Sequence, residues 1–235
     1  MNKNYRIIDL THDVFMDMPS YPTLPPLKIE QIRTVEKDGS NVSMISSMHL
    51  HLGTHIDFPL HMMPGSKSSS DYTLKDMSGE GLVVDLSFKG DGEEITEEDL
   101  AKYGDQINAG DILFMFTGWS KKRDRTTTYL FNWPYLGESA AHFVVNKGVK
   151  LVGIDTLSIG GWGGRVPVRR QPIKSPSRIV HRILFEAGVL VVEEVANLDK
   201  VLMGNKVARG FFIIAPLAIK DVEASPCRVF MVSGL

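Results

Sequence analysis

His51-Leu52-Gly53-Thr54-His55-Ile56-Asp57-Phe58-Pro59-Leu60-His61 is the stretch of this 235-residue chain that carries most of its meaning. Four of the seven histidines fall in the short span from His49 to His61, far more than an even spread would place there. Imidazole and carboxylate are the donors a zinc- or manganese-like divalent ion takes, at about 2.0 to 2.2 Å. On a straight strand the Cα atoms of His51 and His55 would lie about 13 Å apart, too far to share one ion. A helix would bring them together, but the Gly-Thr between them and Pro59 just beyond argue against one. Gly53 instead permits a bend that folds the chain back, so that His51, His55 and Asp57 converge. Upstream, Val42-Ser43-Met44 and Met48-His49-Leu50-His51-Leu52 partly alternate, which predicts a strand running into an irregular ligand loop. His49 then reads as a structural residue or as a partner behind the ligands.

Outward from that stretch the chain reads as one domain over residues 1–235. Short apolar runs with strand character recur at Ile7 to Leu10, Leu82 to Leu86, Ile112 to Phe116 and Leu151 to Ile154. Others lie at Val189 to Val192, Phe211 to Ile214 and Val229 to Val232. Helical signals are fewer. Thr96 is an N-cap ahead of three acids, Gly137 to Lys147 stops at Gly148, and Pro176-Ser177-Arg178 opens a helix that ends at Gly188. Strands outnumbering helices in mixed order predict a mixed α/β fold. The polar run Lys121 to Thr128 reads as an exposed loop or hairpin tip.

Composition excludes several functions. Twenty-six Lys+Arg against 28 Asp+Glu give a net charge of -2, so no general field draws nucleic acid or an anionic membrane. The single cysteine, Cys227, cannot form an internal disulfide. The longest apolar run, Phe211 to Ile219, falls far short of the roughly 20 residues of a membrane span. The N-terminal residues lack the apolar stretch of a signal peptide, so a cytoplasmic protein is expected.

Two further candidates come from far along the chain. His181 sits beside the apolar stripe Val180, Ile183, Leu184 and Ala187 of its helix, where it could face a neighbouring pocket. Glu193-Glu194 follows an apolar strand, and either acid could serve as a ligand.

Together these pieces resemble a known family. His51-x-Gly53-Thr54-His55-x-Asp57-x-Pro59-x-His61 is similar to the HxGTHxDxPxH motif of the cyclase family, whose best-described members are bacterial kynurenine formamidases. Ile8-Asp9-Leu10-Thr11, Gly153-Ile154-Asp155-Thr156-x-Ser158, and His181 followed by Glu193 resemble further family segments. The resemblance implies a compact swivelling β/β/α domain, generally assembled as a homodimer. It implies one or two divalent ions, zinc or manganese, one held by His51, His55, Asp57 and Glu193. A second ion would be held by Asp57, Glu193 and His181, with the two carboxylates bridging and Glu194 as the register alternative. It implies His61 as the acid/base of a metal-dependent amide hydrolysis, N-formylkynurenine to kynurenine and formate, in tryptophan catabolism.

The chain also departs from that pattern. Tyr21 stands where the family has a substrate-stacking tryptophan, and Met62 follows the last motif histidine. Gly160-Gly161-Trp162-Gly163-Gly164-Arg165-Val166-Pro167-Val168-Arg169-Arg170 is either a solvated loop or a lid carrying Arg165, Arg169 or Arg170 to a substrate carboxylate. Two other readings therefore stand beside the formamidase. One is a hydrolase of a cyclic amide or lactone such as isatin; the other is a non-catalytic metal-binding protein. Retention of His61, which is not needed merely to hold ions, argues against the last.

Overall fold

The computed structural model describes residues 5–163 and 177–233. Strands β1 (Arg6–Asp9), β2 (Lys28–Arg33), β3 (Val42–Ser47) and β4 (His55–Asp57) come first. After them come β5 (Ser78–Asp85), β6 (Glu94–Ile95), β7 (Ile112–Phe116) and β8 (Tyr135–Leu136). The last four are β9 (Leu151–Ile154), β10 (Leu190–Glu193), β11 (Val207–Pro216) and β12 (Ala224–Ser233). The helices are α1 (Val35–Asp38), α2 (Glu97–Ala101), α3 (Thr127–Phe131), α4 (Glu138–Asn146), α5 (Ser177–Glu186) and α6 (Leu198–Leu202).

One sheet runs in the order β1-β12-β11-β5-β7-β9-β10-β4, and β4 pairs back onto β12. All but β1 therefore form a closed barrel, a mixed α/β arrangement as the strand and helix signals predict. β5, β7, β9 and β10 run parallel. Parallel neighbours need crossovers, and α2, α4 and α5 lie on these connections. The remaining neighbours are antiparallel.

Both faces of the central strands are buried, which is why their sequences read as unbroken apolar runs. On β7, Leu113 and Met115 pack outward beneath the helices with Val144, Val180 and Leu184. Ile112, Phe114 and Phe116 join a second core with Ile56, Val192, Phe212 and Val229, drawn from strands all round the barrel. Gly153 makes room for it: a Cβ there would lie 2.3 Å from Cε1 of Phe114.

Most expected elements are present, with shifted ends. The α2 start is tied by Thr96 N–H donating to the Asp99 carboxylate at 3.0 Å, and Gly188 takes a φ of +78° just past α5. Two expectations are corrected in part. The strand preceding the ligand loop stops at Ser47, so His51 lies in irregular chain, and Gly53 turns that chain at φ +59° before β4 begins at His55. The run from Lys121 is largely exposed, as expected, but Arg123 is not: its side chain is only 11% exposed, beside buried Glu194, and α3 starts at the end of the run. The Arg123 guanidinium turns inward because that carboxyl offers it a partner. Among the described residues no helix is long and apolar enough to cross a membrane.

Candidate metal centre

Strand β4 places the first candidate ligands. Pleating puts His55 and Asp57 on one face and Ile56 on the other, inside the barrel. Glu193 pairs directly opposite His55 on β10, so its side chain shares that outer face. Helix α5 packs over β10 and lowers His181 onto the same spot. His51 arrives from the Gly53 bend, and His61 from the single 3₁₀ turn that follows β4.

The heteroatoms converge closely. His55 Nε2 is 3.4 Å from Asp57 Oδ1 and 3.4 Å from Glu193 Oε2. His181 Nε2 is 3.7 Å from Asp57 Oδ2 and 3.2 Å from Glu193 Oε1. His51 Nδ1 is 2.8 Å from Asp57 Oδ1. Each carboxylate thus turns one oxygen to His55 and the other to His181. The His61 ring lies 4.3 Å from that of His51, tilted to it, and 5.7 Å edge-on from that of His181. Ligand-type atoms of His51, Asp57 and His61 lie within 4.8 Å of one another, as do those of His55, Asp57 and Glu193.

These residues fit a divalent ion. Two donors about 2.1 Å from one tetrahedral ion are about 3.4 Å apart, within the 3.2–3.7 Å spread seen around His55 and His181. Both Asp57 oxygens and His55 Nε2 are buried and accept or donate no hydrogen bond of good geometry, although the His51 ring is near. Such orphaned groups are costly without a cation between them. His55 Nδ1 lies 2.7 Å from the Gly53 carbonyl, which can only accept. That fixes the proton on Nδ1 and leaves Nε2 facing the carboxylates.

Charge follows the same logic. Burial works to raise both carboxyls, but His51, His55 and His181 outweigh it; Asp57 is held well below its usual range and Glu193 at about 2. Burial would lower His55 and His181, yet the two carboxylates hold them up at about 9 and about 10. The cluster demands positive charge. His49 and His61 are instead pushed down to about 4, chiefly by burial.

Of the two adjacent acids, Glu193 is the one whose carboxylate reaches His55 and His181. Glu194 turns away from the cluster at φ +51°, with Oε1 3.7 Å from Arg123 Nε, and burial pushes its carboxyl up to about 7. Its carbonyl accepts from Thr54 Oγ1 at 2.6 Å, which ties the two ligand segments together. Asp155 braces the next loop by accepting from Thr117 and Ser120.

The centre opens into a cleft of about 1050 Å³. Tyr21 forms part of its wall, with ring centroid 5.4 Å from Trp162, and burial pushes its phenol up to about 12. His49 and Met62 also line it. Arg165, Arg169 and Arg170 lie outside the described residues. Sequence reasoning missed Glu223, whose Oε1 is 3.5 Å from His51 Nε2, because a single acid in a loop carries no pattern. It also passed over Arg178, which lines the cleft.

A family model described as "Putative cyclase" matches residues 8–160. The chain belongs to the cyclase family. It is 28% identical over 223 residues to kynurenine formamidase of Bacillus thuringiensis subsp. konkukian, covering 94% of each chain. Among solved structures it is similar to a "predicted metal-dependent hydrolase" from Bacillus stearothermophilus, at 29% identity and TM-score 0.74, covering 97% of this chain and 98% of that one. Isatin hydrolase A from Labrenzia aggregata superposes with TM-score 0.81 at 26% identity, covering 98% and 94%. This cyclase-family chain is accordingly a metal-dependent amidohydrolase with the family's fold.

Proposed function

We propose that this chain, as one domain over residues 1–235, hydrolyses the formamide of N-formylkynurenine to kynurenine and formate, a step of tryptophan catabolism. The observation that carries the reading is the division of the Asp57 and Glu193 oxygens between His55 and His181. In that arrangement His51, His55, Asp57 and Glu193 would hold one divalent ion, and Asp57, Glu193 and His181 would hold a second. Imidazole and carboxylate together favour zinc or manganese. When bound, the ions supply an activated water and polarise the amide carbonyl.

The chain's own residues do the rest. His61, neutral at pH 7 because burial disfavours its charged form, takes a proton from the attacking water and returns it to the leaving amide nitrogen. Tyr21 and Trp162 pack against the aryl ring and keep bulk water from the reacting carbon. Arg165 and Arg169 are proposed, from sequence alone, to reach the substrate from their loop.

A cyclic amide such as isatin is the second reading, favoured by the likeness to isatin hydrolase A. Metal-loaded protein assayed on N-formylkynurenine, isatin and a simple lactone separates them. The formamide should give the highest kcat/KM; ring opening of isatin without formamide turnover would reverse the assignment. We further propose a cytoplasmic homodimer. Exposed Ile32, Val35, Met44 and Ile45 on and beside the β2–β3 hairpin offer apolar surface to a second copy, and light scattering gives the mass.

A further inference from the structure

Arg178 lies three residues before His181 on α5, so the two share a helix face and look into the same cleft. Among the described residues that line the cleft, Arg178 is the only permanently charged cation. The acids there are engaged elsewhere: Glu193 with His55 and His181, Glu223 with His51. Among the described residues no carboxylate lies within ion-pair distance of Arg178. Its helix gives it no help either. The residue one turn on is Arg182, a like charge at i+4, and Arg182 is itself paired with Glu186 at 3.2 Å. A cation set against its local electrostatics, at the mouth of a site, is expected where a ligand supplies the missing anion.

One wall of the cleft is apolar and aromatic. Tyr21 and Trp162 meet at a tilt of 54°, and Phe131 backs Trp162 at 5.1 Å. Leu24, Leu157 and Ile179 complete the surface. A planar ring fits such a wall, and a guanidinium binds a carboxylate through paired N–H donors.

We propose that Arg178 anchors a substrate carboxylate, so that the cleft selects an aromatic amide bearing an anionic group over a neutral one. This assignment rests on the formamidase reading and adds to it the residue that sets specificity. A neutral cyclic amide has no group for Arg178 to hold.

The test compares wild type, Arg178→Gln and Arg178→Lys, all metal-loaded, on N-formylkynurenine and on its primary carboxamide, in which the carboxylate is replaced. Arg178→Gln should lower kcat/KM for the acid by about 10- to 150-fold, mostly through KM, and leave the carboxamide within about twofold. Arg178→Lys should recover part of the loss, since it keeps charge and loses the fork. Equal losses on both substrates, or none on either, would overturn the proposal. Turnover of neither formamide by wild type defeats the formamidase reading instead. Tryptophan-fluorescence titration with kynurenine and kynurenine carboxamide then still decides Arg178. Preference for the acid that disappears in Arg178→Gln supports the anchor; no preference in wild type, or no binding of either, refutes it.

Discussion

In the proposed centre Asp57 is the residue on which both halves depend, and Asp57→Asn tests that directly. It is fully buried, with Oδ1 turned to His51 and His55 and Oδ2 to His181. Asparagine keeps the shape, removes the charge and replaces one ligand oxygen by an NH2 that cannot bind an ion. An ion present at a hundred- to a thousandfold above its Kd stabilises the folded chain by about 2.7 to 4.1 kcal/mol. For a chain of this size each kcal/mol moves Tm by about 2–4 °C, so wild type stripped with EDTA should gain about 5–16 °C when Zn2+ or Mn2+ is restored. Asp57→Asn should gain less than about 2 °C, and elemental analysis should find it empty. Each protein is compared with its own stripped form, so any change in metal-free stability cancels. His181→Ala is the control, because it removes a donor to one ion only and should keep part of the gain. Asp57→Asn retaining half or more of the wild-type gain would refute the bridging role.

The other expectations are more local. His61→Asn should keep its ions and its metal-dependent Tm gain while kcat falls by about 10² or more; parallel loss of metal would make His61 a ligand, which its position beside His51 and Asp57 also permits. The Asp99 carboxyl is raised by burial but more strongly lowered by Lys89, the Thr96 N–H and Lys102, to about 2. A depressed carboxylate pKa contributes stability above the unfolded value near 3.9 and loses it as pH falls through 2. Asp99→Asn should therefore cost about 1–2 kcal/mol at pH 7, after allowance for screening at the rim, and almost nothing below pH 2; a constant difference in urea titrations across that window would disprove the link. Gly153→Ala drives a methyl against Phe114 inside the barrel, and should cost about 1–3 kcal/mol with partial rescue by Phe114→Leu. A denaturation midpoint unchanged by Gly153→Ala would show that the ring has room to turn.

Legibility from sequence followed physical range. The central strands stood out because burial on both faces demands continuous apolar runs, as in Ile112 to Phe116 and Leu151 to Ile154. The bend at Gly53 could be anticipated because chelation and strand geometry conflict without it, and the positive φ there resolves that conflict. Barrel closure was not legible. β4 is three residues long, and nothing in His55-Ile56-Asp57 announces that it pairs with β10 on one side and β12 on the other. Arg123 failed for a related reason: a run of basic residues reads as solvated unless the distant acid that turns one of them inward, here Glu194, is known.

The same closure explains why the ligands lie so far apart in sequence. A three-residue strand can close a barrel only if both of its edges are paired and both of its faces are covered. Ile56 meets the inner requirement by packing with Val192 and Phe212. On the outer face His55 and Asp57 are polar, and burying them without partners would cost several kcal/mol. Glu193 on the neighbouring strand and His181 on the helix above meet part of that cost as a group, and a cation among them would remove what remains. The barrel seam and the candidate metal centre are thus one arrangement seen from two sides, with the apolar face holding the strand in register and the polar face offering the ligand set.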